Sequence, residues 1–205
     1  MISAPGCHDG IYDDRHTCSM IFIIDGDTKM RYPVKETAAK HERILKEASR
    51  LFRERGFENV TVGEVMKAAG LTHGAFYAHF DSKEELKRAA ITYGQELAID
   101  RARSSGATEK GRRAYAERYL SVRHRDNPGG GCAMAALGQE VARSSPEIRR
   151  AFEHGLEGIL SAHGADREEG IFRTAALLGA VVLARSVQDP HFSKEILDSV
   201  RNKLA

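Results

Sequence analysis

The residues best able to do chemistry gather in one stretch, GLTHGAFYAHFDSKEEL, Gly70 to Leu86. In a chain with no tryptophan, Phe76, Tyr77, His79 and Phe80 fall within a single short segment. A catalytic aromatic box, a piece of core and a helix that reads nucleic acid would all look roughly like this, so the flanking residues must decide. Gly70-Leu71 breaks the preceding helical pattern, and Thr72 can cap a short helix running through His79. Phe76 and Phe80, four apart, share a face and can lock that helix onto a core. Thr72, His73, Gly74, Tyr77 and His79 are left facing out, hydrogen-bonding tips around a glycine where a backbone can come close. Side chains at the start of a reading helix reach base edges, while tyrosine hydroxyls, lysines and helix N-termini hold phosphates. Lys83 and Thr61, both at helix starts, are the phosphate candidates.

The second chemically capable residue is Cys132. It follows the breaker Asp126-Asn-Pro-Gly-Gly-Gly131 and opens a helix, where the N-terminus favours a thiolate. Two readings stand: a thiol that reacts with an oxidant or electrophile, or a small half-buried apolar residue packing the helix start. The other cysteines, Cys7 and Cys18, form no CxxC pair with it, a usage that fits a reducing cytoplasm. His41-Glu42 opens like a zinc-binding HExxH, but Leu45 stands where the second histidine belongs. Phosphate-cradling glycine motifs are missing as well. No metal or cofactor is expected.

These residues need elements to position them. At 205 residues, 41% hydrophobic and 29% charged, the chain can bury one sizeable core or two smaller ones. The net charge of +2 makes any basic surface local. No run approaches the length of a membrane span, so no membrane partner is expected. Residues 1–29 carry no helical period. They read as an extension, either disordered or a mis-assigned start, with Met30 as the natural beginning. From there the punctuation is helical. Ile44, Ala48, Leu51 and Phe52 recur at helical spacing up to Arg55, and Gly56 supplies a left-handed stop. Thr61-Val-Gly-Glu64 and Ser82-Lys-Glu-Glu85 are capping boxes that start two more helices. Beyond residue 86 one helix carries Leu86, Ala90, Tyr93 and Leu97, and another carries Tyr115, Tyr119 and Val122. Cys132 to Ala142 and Pro146 toward His163 follow. Gly170 to Val187, apolar nearly all round, should be buried on most sides, and Asp189-Pro190 starts the last helix. The fold class is all-α, with a helix-turn-helix domain over 30–86 and a second helical domain over 87–205.

From about Thr37 to Leu86 the sequence resembles the DNA-binding domain of TetR/AcrR-type transcriptional repressors. The shared pattern is a long helix, Gly56-Phe57, the Thr61-Val-x-Glu64 start, Ala69-Gly-Leu, and Gly74-x-Phe-Tyr-x-His-Phe-x-Ser-Lys-Glu-x-Leu86. Met66 departs from it, an alanine being more usual there. The resemblance implies an all-helical homodimer whose N-terminal domains bind a palindromic site on double-stranded DNA and whose C-terminal domain binds a small-molecule inducer. It places His73, Gly74 and Ala75 over bases, with Thr61, Tyr77, His79 and Lys83 on the backbone. The segment from Asn127 to Phe152 resembles one branch of the same family. Tyr115, Tyr119, Cys132, Met134, Leu137, Phe152 and Phe172 are the candidates for a pocket between helices. Small residues at Ala175, Ala176, Gly179, Ala180 and Ala184, with Phe192, Ile196 and Val200 of the last helix, suit a dimer interface or an internal core.

Two readings from other classes compete. One is a small helical enzyme with Cys132 as nucleophile and His124 or His163 as base. The other is a protein-interaction module that docks through its helix-turn-helix face.

Overall fold

The computed structural model describes residues 34–106, 108–163 and 166–204. The expected extension over 1–29 lies outside them. Among the described residues there are helices and no strands.

Helix α1, Val34–Arg55, turns Ile44, Ala48, Leu51 and Phe52 inward and carries Arg53 and Arg55 at its negative end. Gly56, at φ 81°, takes the left-handed conformation that stops it. Gly70 does the same at φ 69° between α2, Val62–Ala68, and the segment that follows. That segment, His73–Ala78, is a 3-10 helix rather than an α-helix, and Thr72 starts it with no side-chain cap bond. Six residues broken by Gly74 propagate too little helix to close the wider ring on their own. The Ser82 box also differs in register. Ser82 Oγ accepts from the Glu85 amide at 3.1 Å, but the Glu85 carboxylate reaches past Ser82 to the Asp81 amide at 2.7 Å.

Helix α3, Lys83–Gly106, runs unbroken through the expected boundary at 86/87. The core under α1 and α2 takes in Leu86, Ala90 and Ile91 of α3 together with Leu137, Val141 and Ile148 from far down the chain. Helix α4, Glu109–Tyr119, ends earlier than expected. Ser121 accepts from the His124 amide and starts a separate short helix, α5, Val122–Arg125, leaving Val122 exposed. Then come α6, Ala133–Val141, α7, Pro146–His163, α8, Arg167–Ser186, and α9, Pro190–Leu204. Helix α7 packs along α3, and α8 packs between α7 and α9.

Helix α8 is not buried on most sides. Thr174, Leu177, Ala180, Val181 and Ala184 point inward, while Ile171, Phe172, Val182 and Leu183 are exposed, Phe172 at 64%. A helix apolar all round that contributes one face to its own core has the other left over for a partner.

Candidate nucleic-acid interface and ligand cleft

Three helix starts build the reading face. At α2 the Thr61 hydroxyl accepts from the Glu64 amide at 3.2 Å and donates to Glu64 Oε2 at 2.8 Å. The Thr61 amide donates to the same oxygen at 2.8 Å, and Arg55 adds a 3.0 Å bond to Oε1. The Thr61 amide first, then its hydroxyl and Arg55, hold the Glu64 carboxyl down to about 2. Both Thr61 donors are thus spent on Glu64. A phosphate contact by Thr61 requires the capping box to open.

The 3-10 helix is held from beneath. Phe76 and Phe80 are buried and stack at 5.7 Å between ring centres. His41 of α1 covers Phe80 in turn, at 4.7 Å, a buttress invisible in the sequence because the two lie almost forty residues apart. Above this floor His73 and Gly74 are exposed, and Tyr77 is 69% exposed with its ring edge-on to Phe76. The Thr72 hydroxyl is exposed and free of any cap bond. Ala75 is half-buried against the core, a less forward position than the resemblance implies. A Cβ at Gly63 would lie 3.7 Å from the His73 ring, so the start of α2 and the reading helix are adjacent. His79 is half-buried, 5.7 Å from His41. Burial first, then His41 and Lys40, lower its pKa, so at neutral pH it offers an uncharged ring nitrogen. Lys83, in the first turn of α3, is half-buried and lies near enough to Glu58 to help Lys87 lower that carboxyl's pKa.

A cleft of about 380 Å³ opens in the second half of the chain. Its walls are Gly94, Ala98 and Arg101 of α3, Tyr115, Arg118 and Tyr119 of α4, Ser121, Arg123 and His124, and the loop Asn127, Gly130, Gly131 and Cys132. Of the pocket residues expected from sequence, Tyr115, Tyr119 and Cys132 line it. Met134 lines a narrow crevice that continues inward past the same three. Leu137 does not: its turn of α6 faces α1 and it is buried in the core under the reading head. Phe152 packs against the α3 side, borders a separate surface groove, and gives its carbonyl to Gln95 at 3.0 Å. Phe172 lies on the outward face of α8 and borders neither cleft nor crevice. The arginines were missed because they come from three elements that the sequence does not show converging.

Two tethers, three bonds in all, join this region to the reading head. Arg53 of α1 donates through Nε at 2.9 Å, and also through Nη2, to the carbonyl of Gly129 in the cleft loop; its Nη1 reaches Ser49 Oγ. Glu140 of α6 accepts from the Phe57 amide at 2.6 Å.

The geometry removes one of the two candidate bases, His124, from the rival enzyme reading. His124 Nε2 accepts the backbone amide of Cys132 at 3.2 Å, while Nδ1 faces the Tyr119 carbonyl at 2.7 Å. Its two nitrogens are therefore occupied, the first as acceptor and the second as donor, and neither can take the thiol proton. His163 spends Nδ1 on Thr174 Oγ1 at 3.0 Å, and burial pulls its pKa down to about 4. Its Nε2 has no partner.

An exposed polar face on a short helix pinned against two others, continuous through α3 and a shared core with a helical body that holds an arginine-lined cleft, is the architecture of a helix-turn-helix regulator. Residues 44–90 match the family described as bacterial regulatory proteins, tetR family. Over 54 residues the chain is 46% identical to the uncharacterized HTH-type transcriptional regulator YerO of Bacillus subtilis (strain 168), covering 26% of this chain and only 19% of YerO. Over 134 residues it is 28% identical to the HTH-type transcriptional repressor NemR of Escherichia coli (strain K12), covering 63% of this chain and 67% of NemR. The crystal structure of reduced E. coli NemR superposes with a TM-score of 0.68 at 22% identity, over 80% of this chain and 95% of that one. A crystal structure of AibR, in complex with isovaleryl coenzyme A and operator DNA, gives 0.57 at 20% identity, over 80% and 97%. Residues 44–90 are therefore a DNA-binding domain of the TetR family, and the chain shares the fold of NemR and AibR.

Proposed function

We propose that the chain is a cytoplasmic repressor that binds a palindromic operator as a homodimer and is released by a small-molecule inducer. The observation that carries the reading is the face formed by His73, Gly74 and Tyr77, exposed on a helix pinned by Phe76 and Phe80. His73 and Gly74 meet base edges, with Ala75 behind them and Thr72 at the helix start. Tyr77, His79 and Lys83 meet phosphates, and Thr61 joins them once Glu64 lets go. Residues 30–86 are the reading domain and 87–205 the sensing and dimerising domain.

The exposed apolar face of α8, continued by Phe192 of α9 at 49% exposure, supports a two-fold partner. A palindromic site needs one, because each reading head covers one half-site. Release follows from the two tethers. A ligand in the cleft presses on the 127–132 loop, which Arg53 grips at Gly129, so the ligand prefers one setting of α1 over another and shifts the population between them. AibR supplies the precedent of one fold with both an operator and a small-molecule ligand named in its complex. Cys132 on the cleft wall favours an inducer that is electrophilic or oxidising.

The test is binding to the intergenic DNA beside the chain's own gene at several salt concentrations, with His73→Ala and Tyr77→Phe in parallel. Phosphate contacts release counterions, so the affinity should fall steeply with salt. It should also weaken in both variants. Salt-independent binding, or variants that bind like the parent, would count against the reading head.

A further inference from the structure

Outside the reading head, the cleft beside Cys132 has an unusual wall. Arg101, Arg118 and Arg123 all border it, and no aspartate or glutamate does. None of the three guanidinium groups has a carboxylate partner among the described residues, although arginines elsewhere in the chain are paired, as Arg125 is with Asp126 and Arg167 with Glu157. Arg118 instead lies over the Tyr115 ring, 5.4 Å from its centre, which holds it at the cleft mouth. Three exposed arginines would ordinarily be a solvated surface. A second, independent observation says otherwise: Tyr119, only 7% exposed, lines the cleft, and its buried hydroxyl has no oxygen or nitrogen partner, only the Cys132 thiol beside it. The crevice that continues inward past Tyr119 holds another such atom, Nε2 of buried His163. Buried polar atoms seldom go unpaired in a folded protein, and two along one path mark where a bound molecule's polar groups belong.

We infer that this cleft takes a small organic anion, its carboxylate or phosphate held by Arg101, Arg118 and Arg123 and its apolar body lying on Tyr115 and Tyr119. The inference deepens the reading of the chain as a ligand-responsive regulator and rests on it. A planar guanidinium matches either head group through paired N–H bonds. An inorganic ion would leave the tyrosine wall and Ala98 without a partner. That favours a ligand with an apolar part. Its seat touches Gly130, Gly131 and Cys132, next to the Gly129 carbonyl that Arg53 holds.

The test is calorimetric titration of the full chain, free of DNA, with benzoate, benzamide, phenyl phosphate and inorganic phosphate. The expected result is saturable binding of benzoate or phenyl phosphate, whichever head group the arginines prefer. Benzamide should bind at least about tenfold more weakly, as loss of one charge-assisted contact predicts, and inorganic phosphate likewise because it has no apolar body to bury against Tyr115 and Tyr119. The triple variant Arg101→Gln, Arg118→Gln, Arg123→Gln should bring the anion down to the benzamide level, and Arg118→Gln alone should weaken it measurably should the triple variant fold poorly. Equal affinity for benzoate and benzamide, unchanged affinity in the arginine variants, or no saturable binding of either phenyl anion overturns the inference. Because DNA is absent, the two readings fail separately. A regulator released from its operator by a neutral compound alone loses only the ligand class, whereas a chain that binds the anions and no duplex loses the regulatory reading.

Discussion

Phe76→Ala is the substitution that tests most directly how the reading face is held. The 3-10 helix is a single short run tied off at its ends by backbone bonds from Ala75 to Thr72 at 3.1 Å, His79 to Phe76 at 2.8 Å and Phe80 to Phe76 at 3.0 Å. So short a helix cannot persist alone. Its closed state is maintained by two buried rings, and Phe76 is 1% exposed. Deleting a buried phenyl ring costs about 3–5 kcal/mol, which corresponds to about two to three and a half decades in an equilibrium constant. Most of that loss should fall on the local opening of residues 72–80, with α1 and α3 still packed on Leu137, Val141 and Ile148. Native-state hydrogen exchange is the assay. Amide protection at His79 and Phe80 should drop by about a hundredfold or more, while amides in the middle of α7 change far less. Duplex affinity should fall at least about tenfold, since only the closed fraction binds. Protection at His79 and Phe80 equal to the parent's, with unchanged affinity, would refute the argument that two rings hold this helix in place.

Four further outcomes can be checked. Thr61→Ala removes the α2 cap and should cost about 1 kcal/mol, a fall of about 2–4 °C in Tm by calorimetry; a loss of duplex affinity beyond the change in stability would show that Thr61 also reaches phosphate. Phe172→Glu with Leu183→Arg should convert dimer to monomer in light scattering and abolish tight operator binding, whereas an unaltered mass would place the partner elsewhere. Cys132→Ser should keep duplex binding and lose release by an electrophile such as N-ethylmaleimide, and normal release would end the thiol-sensing reading. His163, whose pKa falls from 6.5 to about 4 on folding, binds its proton more readily in the unfolded chain. Its contribution is therefore intact above about pH 6.5 and is lost as pH falls toward 4, about 3 kcal/mol across the window. His163→Gln should flatten the dependence of Tm on pH there, and an unchanged slope would assign the acid sensitivity to other groups.

The reading head was legible because its signals are local. Gly56 and Gly70 mark their turns by conformation, Thr61 and Glu64 meet three residues apart, and Phe76 and Phe80 fall one turn apart. What escaped is set by distance along the chain. The arginine wall joins α3, α4 and α5. Leu137 looked like a pocket residue because helical spacing marks it as inward without saying which neighbour it faces. It faces α1. Phe172 misled for the opposite reason, since an aromatic on an apolar helix reads as interior whether the interior belongs to one chain or two. The Thr72 cap failed because a hydroxyl in the right place competes with water, and nothing in a six-residue 3-10 turn compels the bond.

The bond from Phe57 to Glu140 bears on how freely such a head can be exchanged between proteins. The loop that ends α1 has its amide satisfied by α6, and the hydrophobic floor of the head is completed by Leu137, Val141 and Ile148. Residues 34–82 are therefore not a cassette. A chimera that grafts them onto another sensing body inherits an open seam along α1 unless that body brings its own equivalents of these four residues. In this chain, sequence drift on α6 is felt in the packing of the head as directly as a change in α1 itself.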